Sequence, residues 1–444
     1  MKWTFEKYIN NIKSYLTCNN KEILQTTYDY TEQDIENNLT YFTKCFYCKL
    51  SGYKALLFFY DYLNSKRLGM KKLKPLIKYT GNKYNEYDFI KDYLPTDIKN
   101  YYEPFFGGGG IFYQLHNFNK ISGVSFINDL SQDLMKFYSN LTNQEFMADL
   151  YQLYGAWNSL SDASDIIYNK FEIEFIDFIF NGNDCYDISI KEEMKGFIDE
   201  LIENLENNIY TEQNFNINEY INKFLYEKLI KFKEKYNKGK LQITEDLVKR
   251  IVETAIYESF YYMIRDAYNS WYNSLYDFSE ENKPIFTLTQ QIAQWFFIRE
   301  FCFGGMFRFS KEGNFNVPYG GYDYNRKDWL KKIDYIFSEN IQTLFKNHVN
   351  ISNMDYKRFL TRKFDKNDFI FLDPPYDTTF SEYDMNEFSV RQHEELCNVL
   401  KNIKCKWLLV VQKTPLMENY IKNTLLENMI NIIVIEQEEV IMIK

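Results

Sequence analysis

The chain has 444 residues, enough for two or three domains and a large core, and a formal net charge of −10. No uninterrupted apolar stretch approaches the roughly 20 residues that span a bilayer, and Met1 to Tyr15 mixes Lys, Glu and Asn where a signal peptide would be apolar, so a cytoplasmic protein off the membrane is expected. Seven scattered cysteines argue for reduced thiols; Cys45 and Cys48 have no second pair at zinc spacing, so no metal is expected, and the three histidines stand in no acyl-transfer motif.

From Trp3 to about Met70 the pattern reads as polar and aromatic helices, with an amphipathic stretch through Ala55-Leu56-Leu57-Phe58-Phe59. Short apolar runs separated by Gly and Pro follow between Lys74 and Asn140: Tyr101 to Phe106 and Gly123 to Asp129 read as strands, with a helix after Gly110. From Leu141 to Glu300 the pattern is helical, long and charged. Phe303 to Tyr322, rich in Gly and aromatics, suits a hairpin, and a helix is expected from about Arg326 to Lys346.

Strand and helix alternation then resumes. Val349 to Ile351, Phe369 to Leu372 and Trp407 to Val411 read as strands, Ser389 to Asn402 as a helix, and Asn431 to Glu436 with Glu439 to Lys444 as a terminal hairpin. Two α/β blocks split by helices imply one sheet interrupted by an insertion. The expected organisation is a helical extension (1–73), a catalytic domain (74–140 with 323–444) and an inserted recognition domain (141–322).

The charge is unevenly spread. Between Phe171 and Glu212 there are twelve acidic residues and two lysines, so this segment carries the whole −10. Basic runs flank it, Lys66 to Lys83 and Lys223 to Lys240, and either suits phosphate contact or a solvated helix face.

Two constellations carry chemistry. Asp373-Pro374-Pro375-Tyr376 leaves the apolar run Phe369 to Leu372 where prolines end a strand, at the edge where open α/β sheets bind ligands. There a base could stack on Tyr376 and donate its amino hydrogens to Asp373 and the Pro374 carbonyl, although a plain Asx-type turn uses the same residues. With 39 Tyr and 39 Phe in the chain, one aromatic residue is weak evidence for stacking.

Glu103-Pro104-Phe105-Phe106-Gly107-Gly108-Gly109-Gly110 sits between a strand and a helix, where glycines admit close backbone approach. Phe112 replaces the last glycine of a dinucleotide fingerprint, which disfavours a nicotinamide cofactor. Asp129, some twenty residues on, stands where a carboxylate accepts ribose hydroxyls. Adenosine in S-adenosylmethionine fits both.

These motifs, in this order, resemble the Dam-like family of DNA adenine-N6 methyltransferases. Lys74 to Lys83 resembles its N-terminal cofactor motif, usually Trp-Ala-Gly-Gly-Lys, with Tyr79 and Lys83 at the contacting positions; Tyr79, Thr80 and Asn82 depart from it. Glu103, Phe105, Gly107 and Gly109 fall in its cofactor loop, Asp129 at its ribose position, Asp355 beside the cofactor adenine, and Asp373, Pro374 and Tyr376 in its catalytic motif. Phe307 to Gly320 resembles its DNA-contacting hairpin and following loop, which puts Arg308, Lys311, Asn316, Pro318 and Tyr319 against DNA.

The resemblance implies a Rossmann-like sheet with helices on both faces. It implies methyl transfer from S-adenosylmethionine to N6 of a flipped-out adenine in double-stranded DNA, by a monomer that has room for a cognate restriction endonuclease as partner. Cytosine N4 or RNA methylation and an inactive DNA-binding relative are the alternatives.

Overall fold

The computed structural model describes residues 73–79, 81–180, 192–198, 217–239, 244–274, 286–375, 388–412, 431–436 and 439–443. The N-terminal extension, Cys45 and Cys48, Lys66 to Lys72, most of the acidic segment and Tyr376 lie outside them. The chain forms two compact units. One, the sheet unit, takes 68–143, 305–309 and 335–444; the other, the helical unit, takes 144–304 and 310–334 together with 1–67.

Among the described residues the sheet unit holds seven strands: β1 (Tyr101–Glu103), β2 (Ser125–Asn128), β3 (Val349–Ser352), β4 (Phe369–Leu372), β5 (Lys406–Gln412), β6 (Asn431–Glu436) and β7 (Glu439–Ile443). Their order is β3-β2-β1-β4-β5-β6-β7. The first six are parallel, and β7 returns antiparallel to β6, as the two terminal apolar runs imply. From β1 the chain adds strands outward to β3, then restarts on the opposite side with β4. Loops leaving β1 and β4 therefore diverge at the carboxyl edge, and a ligand can enter between them.

Alternation along the strands sends neighbouring side chains to opposite faces. Tyr101 and Phe369, paired across β1 and β4, meet Phe112 of α1 (Gly110–Asn117) on one face. Tyr102 and Ile370 point the other way, into a core with Phe359, Leu372, Leu396 and Leu409. Covered on both faces, β4 is entirely buried and reads Phe-Ile-Phe-Leu without a polar break. Each such side chain contributes roughly 1.5–3 kcal/mol of burial. Helix α2 (Gln132–Ser139) follows β2.

The helical unit contains α3 (Gln144–Phe180), bent at Phe171, α4 (Ile217–Asn237), α5 (Glu245–Ser274) and α6 (Leu288–Phe301). Trp157 of α3 is its packing centre, ringed by Tyr257, Phe260, Phe297 and Phe301. α6 is buried all round from Gln291 onward, and a reciprocal Thr287/Gln290 capping box sets its start. No described helix is long and apolar enough to cross a membrane.

Two elements differ from the sequence reading. The single helix expected over Arg326 to Lys346 is two, α7 (Trp329–Ile336) and α8 (Glu339–Asn347). Ser338 adopts extended backbone and turns its hydroxyl back to the Tyr335 carbonyl, so it starts a new helix in place of continuing the old one. The expected hairpin at Phe303 to Tyr322 is an irregular loop. A Cys302–Tyr319 bridge closes it, with a tight turn at Ser310–Asn314. By contrast, α9 (Val390–Leu400) begins at a Ser389/Gln392 capping box within the expected helix.

Candidate active site

The carboxyl edge of the sheet is assembled by one buried side chain. Asn128, the last residue of β2, donates to the carbonyls of Pro104 (3.0 Å) and Met354 (2.9 Å) and accepts from the Met354 amide (3.0 Å). It thereby fixes the loops after β1 and β3 against each other. Asn353 adds bonds to the carbonyls of Asp129 and Leu130.

Within that frame the glycine loop turns from β1 into α1. Gly109 caps α1 with φ +65, a conformation open to glycine, and its amide donates to Phe106 (2.7 Å). The half-buried Asp129 accepts from the amides of Gly107 (2.9 Å) and Ser131 (2.9 Å), one on each carboxylate oxygen. A carboxylate oxygen has two lone pairs, so a carboxylate at this place is of the type that accepts from a diol.

Tyr79 and residues 82–84 lie directly on this loop. The Tyr79 ring covers Gly107, and Asn82 fills the space beside Gly108 and Gly110, so that a Cβ on either glycine would overlap its amide. Asn82 also accepts from the Tyr84 amide at 2.9 Å. The departure from the Gly-Gly pair of the Dam-like motif is thus an interlock: an amide side chain on one loop fits against absent side chains on the other.

Lys83 is 3% exposed. Its ammonium donates to the Gly81 carbonyl (2.6 Å) and pairs with Asp373 at 3.1 Å. Lys83 is therefore removed from the basic run in which the sequence reading also placed it, because it is buried and faces the half-buried Asp373 carboxylate and not solvent. Asp373 leaves β4 with its side chain 18% exposed, and Pro374 behind it is buried.

Glu103, at the end of β1, is 2% exposed and accepts from Tyr101 Oη at 2.8 Å. Burial pushes its carboxyl well above the ordinary range. The Tyr101 hydroxyl opposes this, and the nearby charges of Asp373 and Asp129 add to it. Glu86 shifts upward for the same reasons, with Lys83 counteracting burial and Asp373 reinforcing it. Several carboxyl groups are thus gathered about one buried ammonium, an arrangement common at functional sites.

Phe105 packs its ring against Tyr356 (5.3 Å) and Phe388 (5.5 Å). Asp355 is exposed and caps the short turn Tyr356–Phe359 through the Lys357 amide (2.8 Å). Its side chain has a local structural task beside any ligand contact.

The chain from 79 to 441 matches the family model of D12 class N6 adenine-specific DNA methyltransferases, through overlapping stretches 79–237 and 194–441. The chain belongs to this family. As a D12-class protein it shares 35% identity over 123 residues with the Type II methyltransferase M.CviBI of Paramecium bursaria Chlorella virus NC1A, covering 28% of this chain and 44% of that relative. With the Type II methyltransferase M.MjaIII of Methanocaldococcus jannaschii it shares 24% over 336 residues, covering 71% of this chain and 76% of that relative. The Retron Ec67 DNA adenine methylase of Escherichia coli is 28% identical over 160 residues, 34% of this chain and 46% of that relative. The chain thus spans less than half the length of the viral and retron relatives.

In this D12-class chain the loop after α6 is built by inward and outward alternation. Phe315, Val317 and Tyr319 are buried, while Asn316 and Pro318 are exposed. Asn269 brackets Phe315 with two hydrogen bonds (2.8 and 3.1 Å), and Tyr261 Oη donates to the Val317 carbonyl (2.8 Å). Tyr319 leaves the expected DNA-contacting set: it packs near Trp157 and Tyr261 and its hydroxyl is bonded to Asn325. Arg308 and Lys311 are exposed.

Sequence reading passed over Asn82, Tyr101, Asn128 and Asn269. Asn128 alone had a local signal, a polar residue ending an apolar strand just before Asp129. Asn82 and Asn269 depend on partners 26 to 46 residues away, and Tyr101 on the burial of Glu103 two residues on.

Proposed function

We propose that this chain methylates N6 of adenine in double-stranded DNA with S-adenosylmethionine as donor. The observation that carries the proposal is the Lys83–Asp373 ion pair at the end of β4, beside the Gly107 loop that is bonded to Asp129. The membership of the D12 class supports the reaction, and the glycine-lined loop with a ribose-suited carboxylate supports the donor.

On this reading Asp129 accepts the ribose hydroxyls, Tyr79, Glu103, Phe105, Gly107, Gly109 and Asp355 line the remainder of the cofactor site, and S-adenosylmethionine supplies an electrophilic methyl group. The target base leaves the duplex stack, since its N6 is otherwise shielded. Asp373 and the Pro374 carbonyl each accept one N6 hydrogen, which counters delocalisation of the nitrogen lone pair into the ring and aims it. Asp373 is also the nearest acceptor for the proton that N6 sheds. Lys83 is a positioning residue: its buried ammonium balances the carboxylate and sets its orientation. Tyr376 stacks on the base, a contribution of roughly 1–3 kcal/mol.

The same reading assigns residues 141–322 to target recognition, with Arg308, Lys311, Asn316 and Pro318 against DNA, and takes the enzyme as a cytoplasmic monomer. The Type II methyltransferase names of the viral and archaeal relatives support a cognate restriction endonuclease as its companion.

Transfer from labelled S-adenosylmethionine to duplex DNA, followed by digestion and nucleoside analysis, tests the proposal. N6-methyl-2′-deoxyadenosine should carry the label, and Asp373→Ala should lower the rate roughly 10³-fold, the scale on which removal of one electrostatic contact to a transition state acts. Label in N4-methylcytosine, or a mutant as active as wild type, would reject it.

A further inference from the structure

The turn that leaves the recognition loop carries a pair of arginines that no motif predicts. Arg250 on α5 and Arg326 after the Tyr322–Asn325 turn hold their guanidinium centres 4.2 and 5.1 Å from the Tyr322 ring centroid, and Arg326 also donates to Tyr322 Oη. Both arginines are exposed.

Several other cations in this unit pair with a carboxylate. Lys249 pairs with Asp165, Lys228 with Glu258, Arg265 with Asp266 and Lys332 with Glu300. Among the described residues no carboxylate lies within ion-pair distance of Arg250 or Arg326. Glu253, one helical turn from Arg250, is occupied as acceptor for Asn325 Nδ2 at 3.3 Å, and Asp323 is exposed beside the turn. Two like charges are therefore gathered on one ring without a counter-ion. The planar guanidinium fork suits phosphate, and one backbone phosphate on each of the two groups would relieve their repulsion.

The turn is also tied to the recognition loop. Phe303 donates from its amide to the Pro318 carbonyl, Gly320 to that of Phe301, and the Gly304 amide to Tyr324 Oη at 3.2 Å. Lys327 lies 3.9 Å over the Tyr324 ring. The arginine pair thus sits at a set place relative to the exposed Lys311, Asn316 and Pro318.

We propose that Arg250 and Arg326 on Tyr322 clamp the DNA backbone, contributing affinity and register but no sequence preference. The inference rests on duplex DNA being the substrate of this chain. Phosphate contacts position a protein while base contacts specify the sequence, so the two classes separate by experiment.

The full chain is titrated with a duplex that it methylates and with an unrelated duplex over a range of salt. R250A/R326A should weaken binding to both duplexes equally, by at least 10-fold at low salt, and reduce the slope of log affinity against log salt by about 1.8, or about 0.9 per lost phosphate. R326Q alone, at an exposed turn, should reduce it by about 0.9 and serves if the double variant folds poorly. Rates at saturating DNA should stay at the wild-type value. An unchanged slope overturns the clamp, as does a loss confined to the methylated duplex, which would make these base contacts. Failure of wild type itself to bind or methylate duplex DNA would instead reject the proposed function.

Discussion

The two units solve the problem of holding polar groups in place by different means. In the sheet unit, Asp129, Glu103 and Asp373 stand at strand ends; backbone amides hold Asp129, the Tyr101 hydroxyl holds Glu103 and the Lys83 ammonium holds Asp373. In the helical unit the loop after α6 is held by side chains from a distant helix, Tyr261 and Asn269 of α5. The first kind of support needs particular residue types at particular offsets. The second needs only a hydrogen-bonding side chain at the right point on a long helix, and many sequences supply one.

The contrast can be broken first at the interlock. Gly110→Ala places a Cβ against Asn82 and the backbone of residues 83–84, and should abolish measurable S-adenosylmethionine binding by calorimetry while leaving the helical unit folded. Retained cofactor affinity would mean that the interlock does not shape the site. Lys83→Met removes one partner of a buried ion pair and should lower the methylation rate roughly 10²-fold at saturating cofactor and DNA, about 2.7 kcal/mol. A change confined to cofactor KM would assign Lys83 to binding alone.

A pH experiment separates the units without mutation of the site. His116 of α1, bonded to Ser125 at 3.0 Å, is lowered to about 4 by burial, with the charge of His348 adding to the effect. Because its folded value lies below the ordinary 6.5, the unfolded chain binds the extra proton between these limits, and stability is lost as pH falls through that window. The sheet unit should lose at most about 2 kcal/mol between pH 7 and pH 5, and His116→Gln should remove most of that dependence in thermal unfolding. The smallest effect is expected in the helical unit. Asn269→Ala frees the backbone of Phe315 and should weaken DNA binding by about 1 kcal/mol, roughly fivefold, with cofactor affinity untouched.

Particular residues show how far the sequence could be read. Phe369 to Leu372 is visible as a strand because a β4 covered on both faces must be apolar throughout, and Asp373 because proline ends that strand. The glycine loop is visible because α1 starts on a left-handed residue. Tyr319 misleads because alternation in an irregular loop, and not the residue type, decides which side faces the core. Lys83 reads equally as a phosphate-binding lysine and as a site residue until its burial is known.

By itself the sequence determined the order of the strands along the chain, the two loops proposed to carry the chemistry and the family to which they belong, because each depends on local rules of backbone and residue type. Tertiary structure alone decided that Lys83 meets Asp373 across 290 positions of chain, that Asn82 fits against Gly108 and Gly110, and that Arg250 and Arg326 share one tyrosine. Those pairings follow from which surfaces the fold brings within a few ångströms, and no short stretch of sequence encodes that distance.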